Sequence, residues 1–313
     1  MARPTLLDIA VQNGNDAVAG LLDETTKASP EITGLDRMGN RIGNMGAART
    51  ITGISYKTLV RTALPTVAFR NANEGTAATK GTYENREFTC HIMNPRWEVD
   101  QAVADQDEDG PAAYIALEGA AIVEATIQHL ASQFYYGTGN DAKGFAGLQA
   151  AVAAGMTLDA GGTTASTGSS VYAVRWGPQA VQWLYGNNGQ LVLSDVRTET
   201  ILDASNNPLD GYVQTLLARP GLQVRSTRAV ARLKDATADS GKGVTDIWLA
   251  NLLALFEGGW LPDVFFMTRR SLGQLQASRT ATTPTGAPAP MPTEAHGIPI
   301  AVTDALTNTE TLT

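Results

Sequence analysis

Two apolar runs on either side of a small, polar segment constrain this chain more than any other feature. Tyr56, Leu59, Val60, Leu64, Val67 and Phe69 form the first run, broken at Pro65; Tyr83, Phe88, Cys90, Ile92, Trp97 and Val99 form the second. Residues 71–81 between them hold Asn71, Asn73, Glu74, Gly75, Thr76, Lys80 and Gly81. That pattern predicts two extended strands joined as a long hairpin with a mobile tip. A two-stranded hairpin this long and this polar cannot hold itself together in water. It needs something to lie on, so the sequence already asks for a partner.

The remaining elements follow from periodicity and punctuation. Residues 5–24 have helical spacing through Leu6, Leu7, Ala10, Val11, Val18, Leu21 and Leu22, weakened by Gly14 and Gly20. Residues 28–49, with Gly34, Gly39, Gly43 and Gly46, read as an extended, flexible arm. The clearest helix spans 110–136, with Asp109 as the expected cap, Pro111 in the first turn and Gly137 and Gly139 as the stop. Its apolar stripe is expected to run through Ile115, Ile122, Val123, Ile127, Leu130 and Phe134. At 1.5 Å per residue it is a beam roughly 40 Å long.

Beyond a Gly/Thr/Ser-rich link at 161–170, strands are expected at 171–177, 181–186, 222–224 and 229–233, with a turn at 206–211. A second helix is expected over 245–256, a strand at 264–267, and a third helix capped by Thr268 and running to about Ser278. Residues 280–293 are Thr/Ala/Pro-rich and read as a loop, and 298–302 as a closing strand. No internal repeat is present.

Composition narrows the function classes. The chain has 313 residues, 43% hydrophobic and 17% charged, enough apolar material for a sizeable core. A net charge of −8 argues against a dedicated nucleic-acid binder, which needs clustered cations, without excluding a protein that merely surrounds nucleic acid. Cys90 is the sole cysteine, so no intrachain disulfide and no Cys-based zinc site can form. The N-terminal stretch lacks the apolar core of a signal peptide, and no run approaches the ~20 apolar residues of a membrane span. The expectation is a soluble protein made in a reducing cytoplasm, with no membrane partner.

Chemical motifs do not survive comparison with plainer readings. Asp105-Gln106-Asp107-Glu108-Asp109-Gly110 opens like a calcium loop, but the twelfth position, which must be a bidentate Glu, is Ala116. An acidic helix start is the simpler reading. His91, His129 and His296 fall in three different elements, without the i, i+4 spacing of a helical metal pair. No nucleophile elbow or phosphate loop is present, and Glu84 and Glu87 sit on the solvated hairpin. Arg219, Arg225, Arg228, Arg232 and Lys234 are read as a positive stripe serving salt bridges to neighbours or solvent, because no aromatic platform is interleaved. No catalytic site, cofactor or metal site is expected.

Several segments, in this order, resemble tailed-phage major capsid proteins of the Hong Kong 97-like fold, in a podovirus-type branch. They are Tyr56–Asn73 with Gly75–Asn85, the helix 110–136, Val171–Gly186, Gly221–Val224, Arg228–Arg232, Val264–Arg279 and Gly297–Asp304. The resemblance implies an α+β subunit with an N-terminal arm, an extended β-hairpin (E-loop), a long spine helix with a peripheral β-sheet (P-domain), and a mixed α/β axial domain (A-domain). It divides the chain into 1–49 (helix and arm), 50–100 (hairpin and base), 101–149 (spine helix), 150–275 (axial domain) and 276–313, whose closing strand returns to the peripheral sheet.

The resemblance further implies self-assembly into pentamers and hexamers of an icosahedral head around double-stranded DNA, bound without sequence specificity. A separate scaffolding protein, a portal and a decoration protein are the other partners it suggests. The hairpin residues expected to touch a neighbour are Tyr56, Arg61, Phe69, Arg70, Glu74, Lys80, Tyr83 and Arg86, and the axial basic group is Arg225, Arg228 and Arg232. A cellular nanocompartment shell of the same fold is the nearest rival, and a β-rich hydrolase a distant one.

Overall fold

The structure, a computed structural model, describes residues 6, 23–35, 39–282 and 287–312, and the helix predicted over 5–24 falls almost entirely outside them. In chain order the strands are β1 (Ala48–Thr50), β2 (Ser55–Ala63), β3 (Thr82–Thr89), β4 (Arg96–Asp100), β5 (Thr157–Asp159), β6 (Ser169–Val174), β7 (Val181–Tyr185), β8 (Val192–Leu193), β9 (Arg197–Leu202), β10 (Pro208–Leu217), β11 (Pro220–Val224), β12 (Val230–Ala236), β13 (Val264–Met267), β14 (Glu294–Ala295) and β15 (Ile298–Val302). The described helices longer than one turn are α1 (Pro111–Tyr136), α2 (Asp246–Ala254) and α3 (Arg269–Ala281).

The spine helix α1 is bounded by backbone geometry rather than by side-chain caps. Gly110, at φ 86, turns the chain into Pro111, and no side chain caps the first turn, so Asp109 is not the cap expected of it. Its backbone N–H instead donates to the Asp107 carboxylate at 2.9 Å. At the far end Gly137 adopts φ 54, and a Cβ there would lie 2.1 Å from the Gly147 amide nitrogen. Only glycine permits that approach, which turns the chain back along the helix end.

The helix buries Tyr114, Gly119, Thr126, Ala131, Gln133, Phe134 and Tyr135. Of the predicted stripe only Phe134 is fully buried, while Ile115, Ile122, Val123, Ile127 and Leu130 are half-exposed. The reason is a close approach at Gly119, where a Cβ would meet the Gln214 amide oxygen at 3.0 Å. Gly119 faces the protein's own sheet there, and the larger aliphatics around it stay half-exposed.

The largest sheet has six strands in the order β14-β15-β13-β6-β12-β5. β6 and β13 are buried at every position, as expected for strands covered on both faces. Alternation sends Val171, Ala173, Phe265 and Met267 to one face, where Leu249 and Leu252 of α2 and Leu272 and Leu275 of α3 cover them. Tyr172, Val174 and Phe266 point to the other face, against Phe134 and Tyr135 of α1. There Phe134 stacks on Trp176 with ring centroids 5.6 Å apart and meets Phe266 edge-on at 6.2 Å. Thr268 caps α3 as predicted, accepting from the Ser271 amide. Thr268→Ala is expected to lower unfolding free energy by about 1 kcal/mol, measurable from denaturant midpoints at constant slope.

β15 runs parallel to β13 within this sheet. The closing strand therefore lies in the six-stranded sheet and not in the sheet around β4. That second sheet is built on β10, which pairs antiparallel with β4 from Gly211↔Asp100 to Thr215↔Arg96, and with β8 and β9. The turn expected over 206–211 lies at Asp203–Asn207, with Asn206 at φ 64, and Pro208–Gly211 already belong to β10. The second apolar run, 83–99, is likewise split: β3 closes the hairpin at Thr89 and β4 starts afresh at Arg96 in another sheet.

The arm is packed rather than loose. Glu31, Ile42 and Met45 are buried, and the Trp183 indole donates to the Glu31 carbonyl at 2.8 Å. β1 then pairs in parallel with β7, which pairs antiparallel with β11. The glycines that suggested flexibility at 34–46 all have positive φ and make turns. Residues 36–38 lie outside the described ones.

Candidate assembly interface

β2 and β3 pair with each other from Ser55↔Thr89 to Ala63↔Thr82, and with no other strand among the described residues. The first run was expected to stay extended to Phe69, but its ladder ends at Ala63, just before Pro65, which can donate no ladder hydrogen bond. Residues 64–81 form the connection, so the tip is longer than the 71–81 segment predicted for it. Its order is internal: Arg70 donates to the Glu74 carbonyl at 2.7 Å, Glu74 accepts from the Asn71 amide at 3.1 Å, and Thr79 reaches the Thr66 carbonyl at 2.9 Å. Val67 is 92% exposed and Phe69 fully so.

Among the described residues, only the base of the hairpin touches the rest of the chain. Tyr56 packs on Phe88 at 5.8 Å, and the Arg49 guanidinium lies 4.7 Å from its ring centre. Burial pushes the Tyr56 phenol up, against the pull of Arg49 and Arg225. Arg86 donates to the Arg225 carbonyl at 2.7 Å, and Arg225 donates to the Leu59 carbonyl at 3.2 Å. Cys90 sits beneath, buried with Ile51 and Leu184. Burial pushes its thiol up, which keeps it protonated and unreactive. Of the eight expected contact residues, Tyr56 and Arg86 thus serve the base. Arg61 lies over the Tyr83 ring at 5.6 Å on the shaft, and Phe69, Arg70, Glu74 and Lys80 sit at the tip.

The basic group is not a stripe. Arg225 is engaged under the hairpin, and Arg228 pairs with Glu257 at the surface. Arg232 is buried, donating to Ser170 at 3.0 Å and pairing with Glu310 at 3.4 Å. Lys234 lies between Asp159 at 3.3 Å and Asp235 at 3.1 Å. Apart from Asp235, next to Lys234 in β12, the acids come from residues far off in sequence, so spacing along the strand gave no sign of them.

The histidines are closer than their sequence positions imply. His91 and His129 both line a cleft of about 370 Å³ with Asp141, Lys143 and Pro220. His91 Nδ1 lies 3.0 Å from the Lys143 carbonyl and His129 Nε2 lies 3.6 Å from Asp141. His296 is elsewhere, 3.1 Å from the Asp246 carbonyl. Among the described residues no group of three His, Cys, Asp or Glu could hold a metal ion. No described helix is long and apolar enough to cross a membrane.

Sequence reasoning missed a shallow groove along α1. It is lined by Ala112, Ile115, Ala116, Gly119, Ala120 and Val123, and edged by Leu193 and Gln214. The small residues at 112, 116 and 119–120 were the available signal, since they leave room at helical spacing.

These surfaces are those of a chain that meets others: a bare hairpin, a grooved helix, and polar groups that satisfy each other. The sequence profile of the family described as major capsid protein GP7 matches residues 35–313. The chain belongs to that family. The GP7-type subunit is therefore a structural protein and not an enzyme: the major capsid protein of a tailed phage, forming the icosahedral head of the virion.

No curated protein sequence matches it. Among solved structures, a chain of bacteriophage Epsilon15 is similar with a TM-score of 0.69 at 19% identity, over 99% of this chain and 97% of that one. That likeness places the GP7-type subunit in the α+β Hong Kong 97-like fold. Lesser similarity extends to Mycobacterium phage Bobi (TM-score 0.46, 13% identity, 74% of this chain and 98% of that one). The SrpI encapsulin of Synechococcus elongatus gives a TM-score of 0.46 at 13% identity, over 74% of this chain and 95% of that one.

Proposed function

We propose that this capsid subunit is of the podovirus-type branch and that its hairpin lies across a neighbouring copy in pentamers and hexamers around double-stranded DNA. The match to the Epsilon15 chain over nearly the full length of both supports the branch. The observation that carries the assembly reading is the hairpin itself, a two-stranded unit exposed along most of its length, with no other strand beside it among the described residues. Such a unit gains its stability by docking.

In this reading the peripheral part comprises the hairpin, α1 and the sheet of β4, β8, β9 and β10. The axial part comprises the six-stranded sheet with α2 and α3, including β15. A separate scaffolding protein and a portal complete the head, and a decoration protein is a further partner. DNA is enclosed without sequence recognition, in keeping with the net charge of −8 and cations already engaged by neighbouring acids. Electron microscopy of the purified full chain tests this. Uniform hollow shells with subunits joined through the hairpin are expected, and a persistent monomer would refute the reading. Packaged enzyme instead of nucleic acid in native particles would move it to the nanocompartment class.

A further inference from the structure

Charge is unevenly divided along this chain. From Trp97 to Ala142 there is no Lys or Arg, while nine Asp and Glu occur, from Glu98 to Asp141. This stretch runs from β4 through the acidic loop and the spine helix to the turn after it; the loop and helix hold six of the nine acids, and Glu98 in β4 is paired with Arg96 at 3.2 Å. From Arg49 to Thr89, by contrast, six Lys and Arg meet three Glu. The hairpin is a basic projection on an acidic protein, and the spine is the acidic surface.

Some of these charges are compensated within the chain: Lys57 pairs with Glu87 at 3.5 Å and Arg86 with Glu84 at 3.8 Å. Arg61, Arg70 and Lys80 make no ion pair among the described residues, although all three are exposed. Asp105, Asp109 and Glu118 likewise lack a cation partner there. The hairpin cannot fold back to satisfy them, because its bonds to the body are confined to the base, at Arg49, Leu59, Arg86 and Arg225. Beyond Leu59 the last four residues of β2, at ~3.3 Å each, and then residues 64–81 carry the tip away from the body.

We propose that the basic hairpin of one copy seats on the acidic spine of the next, with Arg61, Arg70 and Lys80 facing Asp105, Asp109 and Glu118. The inference rests on the reading that the hairpin docks on a neighbour, and adds which surface receives it and by what force. The two patches differ and lie apart, so the contact is head-to-tail, the kind that closes rings of copies. Apolar residues accompany both patches: Val67 and Phe69, exposed at the tip, and Ile115 and Val123, half-exposed along the groove. Burial there holds the contact, while charge selects its partner and register.

Charge exchange in the full-length chain is the test. Arg61→Glu, Arg70→Glu and Lys80→Glu together are expected to cut the yield of sedimenting shells at least ten-fold at about 0.1 M salt, where screening reaches ~10 Å. Asp105→Lys, Asp109→Lys and Glu118→Lys together are expected to do the same. The chain carrying all six changes is expected to recover most of the yield, since both sides have exchanged sign. Normal yield from either triple variant, or no recovery in a six-fold variant whose circular dichroism matches the parent, overturns the inference.

Should a variant fail to fold, carbodiimide coupling in wild-type shells reads the contact directly. Joining of the Lys80 amine to a carboxylate between 105 and 118 of another copy is expected, and coupling of Lys80 only elsewhere refutes it. Shells that survive loss of the tip would remove the docking reading itself. Shells that need the tip but ignore charge exchange would remove only this inference.

Discussion

Deleting residues 71–81 leaves a folded, soluble subunit that no longer makes stable shells. The removed stretch is exposed from Asn71 to Lys80 and half-buried at Gly81, and its hydrogen bonds are local, from Asn71 to Glu74 and from Thr79 back to Thr66. Residues 64–70 remain to bridge Ala63 and Thr82, long enough to close the ladder without strain, and shortening a loop changes closure entropy only slowly with length. The subunit's own stability is therefore expected to move by no more than about 0.5 kcal/mol.

Assembly responds differently, because each copy in a closed shell both lends a hairpin and receives one. A modest loss repeated at every contact removes the advantage of simultaneous engagement. Sedimentation and electron microscopy of the deletion variant, beside thermal unfolding of the same sample, separate the two effects. Normal particles would defeat the docking role; an unfolded subunit would show that the tip supports its own chain.

What could be read in advance depended on where the deciding contact lay. The spine helix was legible because its signals are local: Pro111 and Gly137 bound it within a residue of expectation, and Thr268 caps α3 through a bond three residues away. β6, β7, β11 and β13 were legible because buried strands are apolar runs. β8 and β9 were missed, and β10 was read as a turn at its start, because Pro208-Leu209-Asp210-Gly211 has turn composition. Gly211 is there for a different reason: a Cβ would come within 2.6 Å of the Val99 carbonyl on the paired strand.

Which sheet takes the closing strand was not legible for a similar reason. Ile298–Val302 suits any buried sheet position, and only its pairing with β13 decides which. In the interface the hairpin was recognisable from its runs, whereas the Arg232–Glu310 pair joins residues 78 apart and left no trace in spacing. The helix stripe was misjudged because periodicity shows that a face is apolar, not whether its own chain or another covers it.

Glu31 is the clearest case of a residue that only the folded chain reveals, and replacing it has a large expected effect. Its side chain is wholly buried where the arm meets the last turn of α1 and the end of β15. Tyr135 donates to one carboxyl oxygen at 3.3 Å and Thr303 to the other at 3.4 Å, and its ion pairs include none with a cation among the described residues. Burial pushes its pKa up to about 8, with Asp304 nearby adding to the rise against the two hydroxyls.

The sign follows from linkage. Below the ordinary glutamate value of 4.5 the group is protonated folded and unfolded, and its contribution is fully present. Between 4.5 and about 8 the unfolded chain releases the proton and the folded one keeps it, so stability falls by about 1.4 kcal/mol per pH unit. Above that window the loss is complete. Glu31→Gln keeps the size and an acceptor for Tyr135 but does not titrate. The variant is expected to match wild type near pH 4 and to exceed it by on the order of 3 kcal/mol at pH 7, seen in denaturant midpoints across the range. Parallel profiles for the two proteins would show that Glu31 is charged in the fold, and that the arm is held by something other than a neutral acid.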